Sequence, residues 1–222
     1  LITFGVLIAP LLFIFLAGKV SDISASILLR ELSISLYRLI VAYVVSLVFA
    51  LALAVLFGRG KLGGFFVPVF DLLQNIPSFA LIPIFILALG RTDFMVIAFA
   101  ASSMLWPILF YILTAMRNVR TDLEEASIMF GAKGFKKITN FLIPLSFSSL
   151  ITGSIVGISI GWEAIIGIEI IGLYNGIGFF LNSAGNNRDI LIFGITALLL
   201  VVFCINRLVW IPLLKKAQLY AE

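Results

Sequence analysis

Histidine is absent from the 222 residues. That excludes zinc sites of the His-Glu-x-x-His type, Ser-His-Asp triads and Cys-His dyads. Cysteine occurs once, as Cys204 inside an apolar run, so no internal disulfide can form. Charge is scarce: Asp, Glu, Lys and Arg make up 12% of the chain, about half the share usual in a soluble domain. The formal net charge of +4 is too small to argue for nucleic acid as a partner. No glycine-rich loop ending in Gly-Lys-Ser/Thr occurs, so the chain carries no phosphate cradle of its own.

What fills the sequence is hydrocarbon. Hydrophobic residues make up 62% of it and the mean hydropathy is +1.22. A soluble fold of this size cannot hide so much apolar surface. The composition reads as an all-α, polytopic membrane protein. Runs long enough to cross a bilayer, about 20 residues each, fall near 1–18, 35–57, 65–89, 94–115, 147–171 and 190–211. They are continuous rather than alternating, which disfavours strands. Residue 1 is Leu and opens directly into an apolar run, which reads as part of something longer; residues 1–18 lack the basic start and small-residue cleavage site of a signal peptide. The expectation is one transmembrane unit over 1–222, with a hairpin at 116–146.

Basic residues orient it. The segments 58–64, 116–146 and 207 onward hold ten Lys and Arg; the segments 19–38, 90–93 and 172–189 hold five. By the positive-inside rule the first set is cytoplasmic, and six spans then put both termini inside.

The 116–146 segment is the longest loop on that side, and it is patterned. Thr121-Asp122-Leu123-Glu124 reads as a capping box. Leu123, Ala126, Ser127 and Phe130 then recur at helical spacing. Gly131 and Gly134 interrupt, and Phe135, Ile138, Phe141 and Leu142 mark a second short helix that should stop ahead of Pro144. Two short helices meeting at a glycine-marked turn beside Lys133, Lys136 and Lys137 form either a docking device or a hairpin lying on anionic membrane lipid.

Within this segment Glu125-Ala126-Ser127, three residues, Gly131, nine residues and Phe141-Leu142-Ile143-Pro144 resemble the EAA loop of bacterial ATP-binding-cassette (ABC) importer permeases. Its pattern is roughly Glu-Ala-Ala, three residues, Gly, nine residues, Ile-x-Leu-Pro. Ser127, Phe141 and Ile143 depart from it, and the spacing matches throughout. Asn75-Ile76-Pro77-Ser78-Phe79-Ala80-Leu81-Ile82-Pro83 and Trp162…Glu169…Gly176-Ile177-Gly178 look like stretches of the nitrate, sulfonate, taurine and bicarbonate permeases. The resemblance covers roughly residues 30–216. It implies a type I ABC importer permease (MetI-like) fold in the inner membrane. It also implies a second permease unit, either a homodimer partner or a fused homologue, and an extracytoplasmic solute-binding protein. Two cytoplasmic ATPase subunits would hold ATP and Mg, leaving this chain non-catalytic and without a cofactor of its own. Glu125, Ala126, Ser127, Phe130, Gly131, Gly134, Phe135 and Pro144 become the candidate ATPase-coupling residues.

Other residues stand out inside the membrane. Pro77 and Pro83 should bend the third span, and bent spans often line pathways. Asn75, Pro77 and Pro83 are therefore candidates for the translocation path, with Asp71 and Gln74 beside them, and the resemblance adds Trp162 and Glu169 as candidates for the path. Glu163 and Glu169, about 120° apart on a helix, cannot act as one paired site. Ser149, Gly153, Gly157 and Gly161 recur every fourth residue and offer close helix packing, within one subunit or at the seam between two. Trp106, Trp162 and Trp210 fit interfacial belts. Gly176-Ile177-Gly178 has no strand–helix unit around it and reads as a turn. An intramembrane enzyme and an ion channel without an ATPase are the alternatives. The first lacks a sensibly spaced Ser/Lys or aspartate pair, and the second has no need of the patterned hairpin.

Overall fold

The computed structural model describes residues 25–58, 60–131 and 134–218, together with Leu12, Phe13 and Phe15. Every regular element among them is helical. In chain order they are α1 (Ala25–Phe57), α2 (Gly60–Gln74), a 3-10 turn (Ser78–Leu81), α3 (Ile82–Leu89), α4 (Asp93–Arg117) and α5 (Thr121–Met129). Then follow α6 (Gly134–Lys137), a π-turn (Ile138–Leu142), a short helix (Ile143–Leu145), α7 (Phe147–Gly172), α8 (Ile177–Ser183), α9 (Arg188–Ile205), a second π-turn (Asn206–Trp210) and α10 (Ile211–Gln218).

Four helices are long and apolar enough to cross a membrane: α1, α4, α7 and the run Arg188–Ala217. The pair Gly60–Gln74 and Ser78–Leu89 passes the same test together, with a bend of 84° between its halves. The count among the described residues is therefore four, or five with the bent pair. The expected first span, 1–18, lies largely outside the described residues.

Two boundaries move. The second run was expected to begin at 35, but α1 is helical from Ala25 and runs 33 residues. Its first turns hold Arg30 and Glu31, and at 1.5 Å per residue it is about 50 Å long, well beyond the ~30 Å of hydrocarbon. The last run continues past 211 through a π-turn at Asn206–Trp210 into α10.

α4 sits at the centre, against both α1 and α7. Thr92 caps its start, the hydroxyl accepting the Met95 N–H at 3.2 Å. Met95, Val96, Phe99, Met104, Ile108 and Leu109 on α4 are fully buried. The small residues of α7 explain the closeness of the α4–α7 contact. A Cβ on Gly153 would lie 2.8 Å from Tyr111 Cβ, one on Gly157 3.0 Å from Ile108 Cγ1, and one on Gly161 2.6 Å from Met104 Sδ. Ser149 is half-buried one turn earlier. The face from Gly153 to Gly161 is thus occupied by α4 of the same chain.

Two tryptophans depart from the belt reading. Trp162 and Trp210 are 5% and 7% exposed. Trp162 joins Met104, Ile165 and Ile168 in the core. Trp210 meets Tyr43 edge to face, with ring centroids 5.8 Å apart. Both lie on helix faces turned into the bundle, where a large apolar ring contributes more burial than at a membrane surface.

Candidate functional site

The hairpin is built on a packed base and an exposed tip. Leu142 is fully buried, with Ile138 and Phe141 half-buried beside it, against Ala54, Phe70, Ile112 and Met116. At the far end Met129, Phe130 and Phe135 are 87%, 92% and 67% exposed. Between them Gly131 and Gly134 have φ of +82° and +55°, the left-handed region that disfavours residues with a Cβ. Glu125 is exposed, Ala126 half-buried and Ser127 buried. The helix thus turns Ala126 and Ser127 inward and leaves the Met129-Phe130 corner bare.

Two local expectations are corrected here. Arg120, not Thr121, occupies the cap position of α5, with no side-chain capping bond. Instead Arg120 grips Asp122, Nη2 to Oδ2 at 2.6 Å and Nε to Oδ1 at 3.1 Å. This places a carboxylate where the helix N-terminus favours one. The second helix also does not stop before Pro144. It passes through a π-turn at Ile138–Leu142 into Ile143–Leu145, with Pro144 in the opening turn of that short helix, where a missing N–H costs little. The interruption comes at Ser146.

A second cluster lies at the opposite end of the bundle, where α1, the start of α4 and the end of α7 meet. Arg38 on α1 is 1% exposed. Its Nη1 donates to Glu169 Oε1 at 2.6 Å. Its Nε donates to Asp93 Oδ1 at 2.9 Å, and Nη2 reaches Asp93 and the Asn175 side chain. Glu169 is fully buried and also accepts from the Ser35 hydroxyl and, at 2.9 Å, from the Gly178 N–H. Ser35 accepts the Ile177 N–H at 2.8 Å, and Glu31 accepts the Gly176 N–H at 2.6 Å.

Three successive backbone N–H groups are therefore held by three side chains from two helices. Gly176 makes this possible. Its φ is +98°, and a Cβ there would fall on the Glu169 carboxylate. Charged groups taken out of water need such partners, because an unpaired one is very costly.

Of the residues singled out for a pathway, Glu169 and Trp162 face into the bundle of this subunit, while Glu163 is exposed. The Trp162 Nε1 has no hydrogen-bond partner among the described residues. Asn75 and Pro77 sit in the break of the bent pair and are exposed; Asn75 donates its side-chain amide to the Asp71 carbonyl. Pro83 falls in the first turn of α3, so Pro77 marks the break and Pro83 adds no separate kink.

In the sequence Arg38 falls inside the 35–57 run and counts only toward the basic residues of the 19–38 side, and Glu31, Ser35, Asp93 and Asn175 belong to no motif. The signal was present: Glu31, Ser35 and Arg38 recur at i, i+4 and i+7, a polar stripe on one face of a mostly apolar helix.

Comparison with known proteins joins these features. Residues 43–216 match the family described as binding-protein-dependent transport system inner membrane component. The chain is 22% identical over 180 residues to the taurine transport system permease protein TauC of Escherichia coli, covering 80% of this chain and 66% of that one. It is 30% identical over 154 residues to the nitrate import permease protein NrtB of Synechocystis, covering 69% and 56%. With the bicarbonate transport system permease protein CmpB of Synechococcus elongatus it shares 26% identity over 150 residues, covering 66% and 54%. The chain spans between about half and two thirds of the length of these relatives.

Proposed function

This chain belongs to the family of binding-protein-dependent transport system inner membrane components, and on that premise we propose that it is the permease subunit of an ATP-driven importer. The 116–146 hairpin is its cytoplasmic coupling element, and both termini are cytoplasmic. A separate ATPase binds and hydrolyses ATP with Mg, and an extracytoplasmic binding protein delivers the solute. The solute is small, of the nitrate, taurine, sulfonate or bicarbonate kind named for the relatives.

The observation that carries this reading is the bare apolar corner at Met129 and Phe130, set on a buried base. A surface helix that exposes a methionine and a phenylalanine almost completely while Ser127, just behind them, is buried offers a knob for a groove. The rigid base at Leu142 joins that knob to α1, α2 and α4, so a push at the tip reaches the membrane bundle. Lysines 136 and 137 flank it and supply charge to the rim of an interface.

The test is co-purification and uptake. Gly131→Trp forces a side chain onto a left-handed backbone at the turn, and Phe130→Ala removes the knob. Both variants should insert normally into membranes, lose the ATPase on purification, and lose ATP-driven uptake in proteoliposomes. Unchanged uptake in Gly131→Trp would count against the coupling role.

A further inference from the structure

A groove of about 470 Å3 runs along the side of the bundle between α1, α7 and the run from α9 into α10. It extends from Leu36 to Tyr43 on α1, from Phe147 to Ile158 on α7 and from Ile205 to Leu213 on the last run. The α7 stretch starts at the foot of the hairpin and rises about 16 Å, half of a hydrocarbon layer ~30 Å thick and so the depth of one leaflet. The groove opens sideways, with Ile40, Phe147, Val209 and Leu213 exposed on its rim. Its wall is hydrocarbon. The Tyr43 hydroxyl donates to Ser154 Oγ at 3.0 Å, Ser154 donates to the Leu150 carbonyl at 2.8 Å, and the Trp210 indole nitrogen is buried.

The end of the groove beside the hairpin is basic. Leu213 and Lys216 stand three residues apart on one face of α10, with Lys215 next to them, and both lysines are exposed. Neither forms an ion pair among the described residues. Ala217, 2% exposed, packs with Trp210 and with Ile151 of α7, which fixes this end in place. The run Arg188–Ala217 is 30 residues, about 45 Å, so its final turn reaches the headgroup layer beyond ~30 Å of hydrocarbon. Long lysine stems keep their ammonium groups at that level. An apolar slot one leaflet deep beneath a pair of ammonium groups matches a lipid, hydrocarbon chain first and anionic head last.

We propose that this groove seats a phospholipid with an anionic headgroup, its acyl chain lying between α1, α7 and the α9–α10 run and its phosphate held by Lys215 and Lys216. The proposal takes from the permease reading only that this is the cytoplasmic leaflet. Basic clusters between spans on that side suit anionic headgroups. A helix does not fit inside, because one about 10–12 Å across takes roughly 500 Å3 per turn and the groove is about three turns long. A second copy laid over the rim, about an axis along the membrane normal, would bring its own Lys215 and Lys216 to the same depth and set like charges together. From the start of the chain, Phe13 packs against Phe193 of α9, about 18 Å along the helix from Ile205.

The experiment uses the whole transporter complex in phosphatidylcholine nanodiscs that hold a trace of a phospholipid with a photoactivatable diazirine on one acyl chain. The probe carries either a phosphatidylglycerol or a phosphatidylcholine head, and labelled residues are located by peptide mass spectrometry. Label at Leu150 and Ile158, in the groove wall, should be about tenfold or more stronger from phosphatidylglycerol, as two lysines beside an anionic head imply. At Leu199, on the exposed face of α9, the two heads should label alike. Lys215→Gln/Lys216→Gln, at exposed positions, should bring the groove label from phosphatidylglycerol down to the phosphatidylcholine level and leave Leu199 unchanged. Equal groove label from both heads in the parent overturns the headgroup seat, and so does a double variant that labels like the parent. A groove that neither probe labels while Leu199 is labelled is covered by a second copy or by the start of the chain, which overturns the lipid altogether. Nanodiscs present both leaflets alike, so failure of the permease reading, seen as a complex without ATP-driven uptake in proteoliposomes, leaves each of these outcomes readable.

Discussion

Arg38 is the residue on which the end of the bundle opposite the hairpin depends. It pairs with Asp93, whose side chain is 65% exposed, and with Glu169, which is fully buried. These two pairs are not equivalent. Solvent screens the first and a surface pair of that kind contributes about 0–1 kcal/mol, whereas removing one partner of a buried pair costs roughly 3–5 kcal/mol. Arg38→Met should therefore lower the thermal stability of the detergent-purified protein far more than Asp93→Asn. The double variant Arg38→Met/Glu169→Gln should regain part of the loss, because no buried charge is then left alone. A double variant no more stable than Arg38→Met would show that Glu169 draws its support elsewhere. Gly176→Ala should be damaging in its own right, since its methyl group would meet the Glu169 carboxylate on a backbone that disfavours any Cβ. None of these pairings was legible from composition. A charged residue near the edge of an apolar run reads as loop, and only the helical continuation back to Ala25 turns Glu31, Ser35 and Arg38 onto one inward face.

At the scale of elements, the α4–α7 contact depends on the absence of side chains. Gly153→Leu or Gly157→Leu should force the two helices apart, costing about 1–3 kcal/mol or more where the backbone cannot shift. The effect is read as reduced yield and melting temperature, with Ser149→Ala as the mild comparison. If Gly157→Leu melts like the parent, the contact is looser than the 3.0 Å approach of Ile108 implies. Elements were where the sequence spoke most clearly. Asp93–Arg117 and Phe147–Gly172 fall within about two residues of their expected limits, because long apolar runs bounded by charge have few other solutions in a membrane. Pro77 announced the break, but the angle of 84° and the role of Pro83 depend on what packs around them. Phe79, for example, lodges against Gly167 of α7, a contact between residues far apart in sequence. The turn of the hairpin was legible through Gly131. Its π-helical base was not, because no residue pattern distinguishes a π-turn from the α-helix around it.

For the whole molecule, the proposed orientation makes a direct prediction. In a Cys204→Ser background, cysteines placed at Gly60 and Lys136 should be shielded from an impermeant thiol reagent in intact cells, and one at Asn186 should be labelled. Labelling of position 136 from outside would overturn the topology. Assembly makes a second. The resemblance implies two permease units and two ATPases per complex, so native mass measurement of the purified complex should return that stoichiometry. A transport-competent complex with one of each would refute it.

The length of α1 bears on both ends at once. Its N-terminal half carries Glu31, Ser35 and Arg38, clamped to the 175–178 loop; its C-terminal third carries Ala50 and Ala54, packed with Met116 and with Leu142 at the root of the hairpin. A helix is stiff over this distance, so α1 is a lever roughly 50 Å long. A tilt of about 5° around its middle would displace each end by about 2 Å in opposite senses, comparable to the helix shifts that accompany switching at interfaces. Pressure on the clamp at one face of the membrane and pressure on the hairpin at the other would then be alternative ways of turning the same rod.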